Sequence, residues 1–276
     1  KKVNDISPVM VVCCGWTDKI YNKVALNFKK KRTPTVVFSD TQWRGGKQWY
    51  NVLASPFRIR RYFEYFFAAG ILQYDYARKL GFPKDKIILH CLSGDTKLFN
   101  KVDIEKKKGK YPKRILYVGR FVEVKALDVL IEAWNKIKDK KSWILELVGE
   151  GPLKEKITEN EHLIIKEFMP QEKLIIEAQE SGCFILPSRF EPWALVIHEF
   201  AAAGMPLLCS KYCGAAKHFL INGYNGYEFD PNTIESLVDK LKKIQIPGLI
   251  LKLVKGTHEE SKYVHKLLGN KIQIHS

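Results

Sequence analysis

Two carboxylates, Glu191 and Glu199, stand with seven residues between them in the stretch SRFEPWALVIHEFAAAG, residues 188–204. The stretch is otherwise apolar apart from Ser188, Arg189 and His198. A buried carboxylate is costly unless a charge or hydrogen bonds meet it. The acids therefore lie on a partly exposed helix or face a ligand. Pro192 suits a first helical turn, Ala194 to Ala203 are good helix formers, and Gly204 and Pro206 stop the helix. The apolar run CFILPS before them reads as a strand. Glu191 is thus expected in the loop at the strand's carboxyl end, with Glu199 about two turns along the helix and about 80° around its axis. Both acids can then face one cleft. The free N–H groups near Trp193 to Val196 would make the helix start an anion site.

Charge points the same way. The chain has 276 residues and a formal charge of +16, which attracts nucleotides, phosphosugars, acidic lipid or nucleic acid. The cationic clusters Lys29 to Arg32, Lys106 to Lys110, Lys138 to Lys141 and Lys240 to Lys243 read as solvated surface. Zinc-finger, RNA-recognition and basic-zipper signatures are absent, so nucleic acid is not the expected partner. Cys13, Cys14, Cys91, Cys183, Cys209 and Cys213 lack zinc-site context and read as reduced thiols of a cytosolic protein. No apolar run reaches the length of a membrane span, and the apolar part of the opening residues is too short to read as a signal peptide. His90, His198 and His218 fall in no catalytic or metal-binding pattern and are expected to be structural.

The elements that must position these groups alternate. From residue 113, RILYVG, WILELVG, LIIKEFM, CFILPS and PLLCS read as strands. Helical patterns lie between and after them: Ala126 to Lys138, QEKLIIEAQES, the stretch bearing Glu199, Ala215 to Ile221, and NTIESLVDKLKKI. Alternation of this kind predicts a parallel sheet covered by helices on both faces. In the first part, VMVVCCG, PTVVFSD and KIILHC read as strands, with helices expected between the first two, over Ser55 to Ala69 and over Tyr74 to Leu80. The basic KKKGKYPK reads as a linker. The expectation is an α/β chain of two Rossmann-like domains, residues 1–110 and 111–276, with a cleft between them and the ligand at the strands' carboxyl ends.

EPWALVIHE resembles the EPFGLVxxE signature of the retaining GT-B glycosyltransferases of the family 4 type, glycosyl transferases group 1. ILYVGRFVEVKALDVLIEAW, LELVGEGPLKEKI, IIKEFMPQEKLIIEAQESGCFILPSRFEP and AAAGMPLLCSKYCGAAKHFLINGYNGYEFDP resemble further blocks of that family in order. The resemblance covers residues 113–245 nearly continuously. A lone E-x7-E is a weak signal; four ordered blocks around it are strong. YARKLGFPKDKIILHCLSGDTKLF and PTVVFSDTQWRGG are similar, less specifically, to the acceptor-side domain. The family's opening strand and Gly-rich loop find no match before Val9, so the first domain is expected to be incomplete. Glu259 to Leu268 resembles a remnant of the closing helix.

The resemblance implies sugar transfer from a nucleotide-diphosphate donor to a glycan or lipid-linked acceptor, with retention and without a metal; no D-x-D occurs. The implied diphosphate pair is Arg120 and Lys125, next to Gly119. Glu199 would take the donor ribose hydroxyls, a task that suits a carboxylate. On its own it reads rather as a solvated helix residue or a partner of His198 or a lysine; the flanking blocks favour the ribose role. Glu191 would sit at the sugar, although a loop glutamate capping the helix fits the same sequence. Trp193, Ala194, Leu195 and Val196 would offer backbone contacts, with Trp-Ala standing where the family often has Phe-Gly. Gly149 and Gly151 would let backbone approach the nucleotide, and Phe168 and Met169 would contact the base. Asp40 would face the sugar from the other domain, or simply form a turn. The implied donor is UDP- or GDP-linked, and the implied location cytoplasmic, at most peripheral at the inner face of an anionic membrane. Two other classes remain at this stage: a nucleotide-sugar-binding remnant without turnover, and a basic nucleic-acid-binding protein.

Overall fold

The computed structural model describes residues 7–246, in two compact units that divide at Leu92/Ser93. The Glu259–Leu268 segment lies outside the described residues.

The first unit alternates β1 (Val11–Cys14), α1 (Lys19–Lys30), β2 (Thr35–Ser39), α2 (Gln48–Arg58), β3 (Tyr65–Ala68), α3 (Ile71–Lys79) and β4 (Ile87–Leu89). The strands form a parallel sheet in the order β1-β2-β3-β4, with Val12 opposite Val36, Val37 opposite Phe66 and Phe67 opposite Ile88. Asp18 caps α1, accepting from Ile20 N at 2.6 Å. Phe63, Phe66, Tyr76 and Phe82 build the core, with Trp16 and Trp43 packed against it. The helix expected over Ser55 to Ala69 is not formed. α2 ends at Arg58, where Ile59 N and Arg60 N share the Ser55 carbonyl at 2.9 Å each. Glu64 N then donates to Thr35 O at 2.9 Å, and the aromatic run that follows joins the sheet as β3. Its aromatics suit a pleated, buried surface, and pairing to β2 outweighs the helical reading.

The second unit contains α4 (Thr96–Phe99), α5 (Ile104–Gly109), β5 (Arg114–Val118), α6 (Leu127–Lys136), β6 (Ile144–Val148), β7 (Leu163–Lys166), α7 (Gln171–Glu180), β8 (Cys183–Leu186), α8 (Leu195–Ala202), β9 (Leu207–Ser210), α9 (Ala216–Phe219), β10 (Gly226–Phe229) and α10 (Ile234–Ile244). All six strands are parallel, in the order β10-β9-β8-β5-β6-β7. Strand order reverses between β5 and β8, the Rossmann arrangement. A crevice opens at such a point, outside the strands' carboxyl ends. The strands are apolar runs because helices cover both faces: every residue of β8 and β9 is buried. Phe200 of α8 stacks on Phe184 at 4.4 Å and meets Phe99 edge-on at 5.5 Å.

That last contact moves the expected boundary. Residues 93–110 belong to the second unit rather than to a first domain ending at 110, and the basic stretch is not a free linker. Lys107 is buried and donates to Ser181 O at 2.8 Å, Asp103 N donates to Gln179 Oε1 at 2.7 Å, and the Tyr111 hydroxyl donates to Gly182 O. β10, unmarked in the sequence reading, is a strand because Tyr227 pairs with Leu208 of β9. The six cysteines form no disulfide.

Candidate donor-binding site

The reversal point is built by backbone before any side chain acts. The loops after β5 and β6 continue the sheet's hydrogen bonding: Gly119 N donates to Val148 O at 3.0 Å and Phe121 N to Glu150 O at 2.7 Å. That closeness demands glycine. A β-carbon on Gly149 (φ 148°) would lie 2.0 Å from Gly119 O, and one on Gly151 (φ 150°) would lie 2.5 Å from Phe121 O. The paired loops floor a cavity of about 820 Å³ at the strands' carboxyl ends. Gly119, Arg120, Gly149, Gly151, Phe168, Met169, Leu195, Val196 and Glu199 all line it. The size suits a ligand larger than a lone phosphate.

α8 enters the cavity differently from the sequence reading. Pro192 and Trp193 are not helical; the helix starts at Leu195, and Ala194 precedes it in the left-handed region at φ 76°. The cause is a short bridge. Glu191 pairs with Cys213, Gly214 N donates to Glu191 O at 2.9 Å, and Ala215 N donates to Trp193 O at 2.8 Å. Residues 191–193 are therefore held out of the helix, and the chain turns at Ala194 to begin it. The Trp193 ring is buried against His218 and Phe219, away from any ligand role for its side chain. At the far end Gly204 (φ 68°) closes α8: its N–H donates to Ala201 O at 2.9 Å and Met205 N to Phe200 O at 3.1 Å.

Glu199 consequently sits just over one turn into α8, not two. It is 3% exposed, and its Oε1 accepts from Gln171 Nε2 at 2.6 Å. Burial pushes its carboxyl above the ordinary glutamate value; the Gln171 hydrogen bond opposes this, and the charge of Asp95 adds to it. His198 beside it has a structural role: Nδ1 accepts from Gly94 N at 3.1 Å, and the ring stacks on Phe219 at 4.3 Å.

Glu191 is not in the cavity wall. It makes an ion pair with Lys125, and both side chains are mostly buried. The paired acid and base belong to the loops after β8 and β5. Tyr117 holds the loop of the cavity-lining Arg120, its hydroxyl donating to the Arg120 carbonyl at 2.9 Å. Burial, and then the negative charge of Glu191, raise the Tyr117 hydroxyl well above the usual phenol range, while the Arg120 charge opposes the rise. The structure thus gathers nine of the expected residues in one cavity and joins Lys125 and Glu191 as a pair. It turns Trp193 inward and uses Ala194 as the turn. Asp40 belongs to the first unit, just after β2, where its carbonyl accepts from Gln73 Nε2 at 2.8 Å. Phe168 is 74% exposed, a cavity-lining aromatic outside the core. Gln171, Glu150 and Leu174 also line the cavity and were not singled out from the sequence. Gln171 was within reach of it: a polar residue follows Pro170 at a helix start beyond a strand's carboxyl end.

A family model described as glycosyl transferases group 1 matches residues 100–246, more than half of the chain. The chain belongs to that family. It is 28% identical over 148 residues to an uncharacterized glycosyltransferase of Haemophilus influenzae, covering 51% of this chain and 42% of that protein. It is 26% identical over 141 residues to a glycogen synthase of Mycobacterium tuberculosis, covering 48% and 34%. The chain thus spans less than half the length of these curated relatives. Among solved structures, sucrose-phosphate synthase from Thermosynechococcus elongatus aligns with TM-score 0.72 at 17% identity, over 92% of this chain and 69% of that one. HepE from Anabaena, solved in complex with UDP and glucose, aligns with TM-score 0.68 at 15% identity, over 94% and 77%. At such identity these likenesses speak for the fold alone: the GT-B type, with two Rossmann-like domains.

Proposed function

We propose that this family member transfers a sugar from a nucleotide-diphosphate donor to a glycan or lipid-linked acceptor, with retention and without a metal. One observation carries the reading: the cavity at the strand reversal joins a buried carboxylate, Glu199, with an arginine, a helix start and an exposed aromatic. Those groups match a ribose diol, a diphosphate and a base in turn. Glu199 accepts from the ribose hydroxyls, and Arg120 forks onto the diphosphate. Backbone N–H groups of Leu195 and Val196, at the positive end of α8, complete the anion site. Phe168 and Met169 take the base.

Lys125 and Glu191 act as a unit in this reading. Lys125 meets the charge that develops on the leaving diphosphate, and Glu191 holds the ammonium and faces the sugar. The acceptor hydroxyl bonds to the anomeric carbon on the face from which the diphosphate departs. Its proton passes to the departing phosphate oxygen, giving the glycoside and the nucleoside diphosphate. Asp40 is the proposed catalytic residue of the first unit. The UDP of the Anabaena structure supports testing uridine first. A cytoplasmic location, peripheral to an anionic membrane, completes the reading.

A thermal-shift panel of UDP, GDP, ADP, CDP and dTDP, with and without EDTA, tests the site. A ligand at about a hundred times its Kd adds about 2.7 kcal/mol to the native state. A shift selective for one base, indifferent to EDTA and lost in Glu199→Ala and Arg120→Ala, is the expected result. No shift with any nucleotide would defeat the donor site. Release of nucleoside diphosphate from the matching nucleotide sugar, dependent on added acceptor, then tests transfer.

A further inference from the structure

The first unit wears one helix inside out. Four large apolar side chains of α2 face solvent: Trp49 at 54% exposure, Tyr50 at 63%, Leu53 at 76% and Phe57 at 75%. At 100° per residue they fall within an arc of about 100°. Ser55 and Ile59, which are buried, lie on the opposite side. A surface helix ordinarily turns its apolar stripe to the core, and a contiguous exposed apolar face marks a docking surface.

The charges around the face identify what docks. Arg44, Lys47, Arg58, Arg60 and Arg61 fall within residues 41–63, which contain no Asp or Glu. Arg58 lies over the Tyr50 ring at 5.2 Å, and Trp43 braces the Trp49 ring edge-on at 5.2 Å. The wider unit agrees. Residues 1–92 hold 17 of the 46 Lys and Arg but only 6 of the 30 Asp and Glu, so +11 of the +16 charge falls on one third of the chain. A second copy would set these cations against each other. An anionic bilayer takes the rings and leucine into its headgroup boundary and the arginines onto its phosphates. α2 has 11 residues, about 16 Å of helix, and so lies on the membrane rather than across it.

We propose that α2 docks this chain on an anionic lipid surface through Trp49, Tyr50, Leu53 and Phe57, with Arg58 and Arg61 on the headgroups. This deepens the peripheral-membrane part of the function above and owes nothing to the donor site. It also moves the anchor away from the Lys29–Arg32 cluster, whose first member is engaged within the fold: Lys29 Nζ donates to Arg60 O at 2.7 Å.

The test is co-sedimentation of the full chain, without nucleotide, with vesicles of phosphatidylcholine alone and of phosphatidylcholine with phosphatidylglycerol, at low and high salt. Binding to the anionic vesicles, weakened by salt, is expected. The double variant Leu53→Glu, Phe57→Glu should lose at least about a hundredfold in affinity, since two large apolar burials are forfeited. Both positions are exposed, so its unfolding midpoint should match the parent's. The triple variant Lys30→Glu, Lys31→Glu, Arg32→Glu serves as the comparison. Loss only in that triple variant would keep the membrane reading and overturn α2 as its anchor. No binding of the parent to anionic vesicles would overturn both. A concentration-dependent dimer in light scattering, abolished by the double variant, would assign the face to a second copy instead. The nucleotide panel, run on the same variants, reports the donor site separately.

Discussion

Gln171 Nε2 donates to Glu199 Oε1 at 2.6 Å, from the first residue of α7 to a buried acid of α8. The bond orients the carboxylate and favours its ionised form, against burial that raises its pKa. Glu199 must be ionised to accept from both hydroxyls of a diol. Nucleotide binding is therefore expected to weaken as pH falls through the raised Glu199 pKa. Gln171→Ala removes an interaction that lowers that pKa, so its midpoint for binding should move to higher pH. Isothermal titrations across the acidic range read this directly. An unchanged midpoint with a uniformly weaker affinity would make Gln171 a packing residue only.

Ala194 carries a strain that glycine would not. An L-residue in the left-handed region costs about 1–2 kcal/mol, part of which glycine gives back through its freer unfolded chain. At φ 76°, Ala194→Gly is expected to raise stability by about 0.5–1 kcal/mol, measured by denaturant unfolding. Ala194→Val should lower it, because a β-branched side chain fits that region worse.

Much of the second unit is legible in the sequence. Ten strands and helices of the second unit follow from alternation, because each buried strand is an apolar run bounded by turn residues. The fold class follows from the same pattern. The α2–β3 region was misread because its aromatics serve equally for a helix face and a buried strand, and only the pairing of Val37 with Phe66 decides. The start of α8 was misplaced because Pro192 and Trp193 obey a distant constraint, the bridge from Glu191 to Cys213. The Lys125–Glu191 pair spans 66 positions and leaves no local trace. Gly149 and Gly151 were visible, but their reason, contact with a neighbouring loop's carbonyls, was not.

That contact makes a sharp comparison possible. Gly149→Ala would drive its β-carbon into Gly119 O at 2.0 Å, whereas Gly223→Ala, also at positive φ (80°), meets nothing within 4 Å. Both substitutions bear the backbone penalty; Gly149→Ala adds an overpacking cost of about 1–3 kcal/mol. It should also abolish the nucleotide-induced thermal shift, because the two loops it separates floor the cavity. Gly223→Ala should keep the shift. Equal behaviour of the two variants would show that the loop packing does not shape the site.

A buried charge cluster under α7 gives the chain a second pH dependence, away from the cavity. Glu146, wholly buried in β6, places Oε2 3.0 Å from Arg114 Nη1 and 3.3 Å from Lys166 Nζ. Burial, and then the hydrogen bond it makes with Glu177, push its carboxyl up to about 7, against the two cations. Burial also acts upward on Glu177, yet the bonds to Glu146 and Lys166 hold that group below its ordinary value. A carboxyl raised on folding binds its proton more tightly in the native state, so native stability is greatest below the unfolded pKa. From the ordinary glutamate value of 4.5 up to about 7, the unfolded chain binds fewer protons at this site than the folded one. The Glu146 contribution must therefore fall as pH rises through that window. Glu146→Gln removes the titration and leaves both cations paired, since Arg114 keeps Glu177 at 3.2 Å and Lys166 keeps it at 2.6 Å. Unfolding free energies measured across the window should slope less steeply downward in Glu146→Gln than in the parent. Parallel profiles would mean that Glu146 stays ionised in the native state and that the two cations, not burial, set its charge.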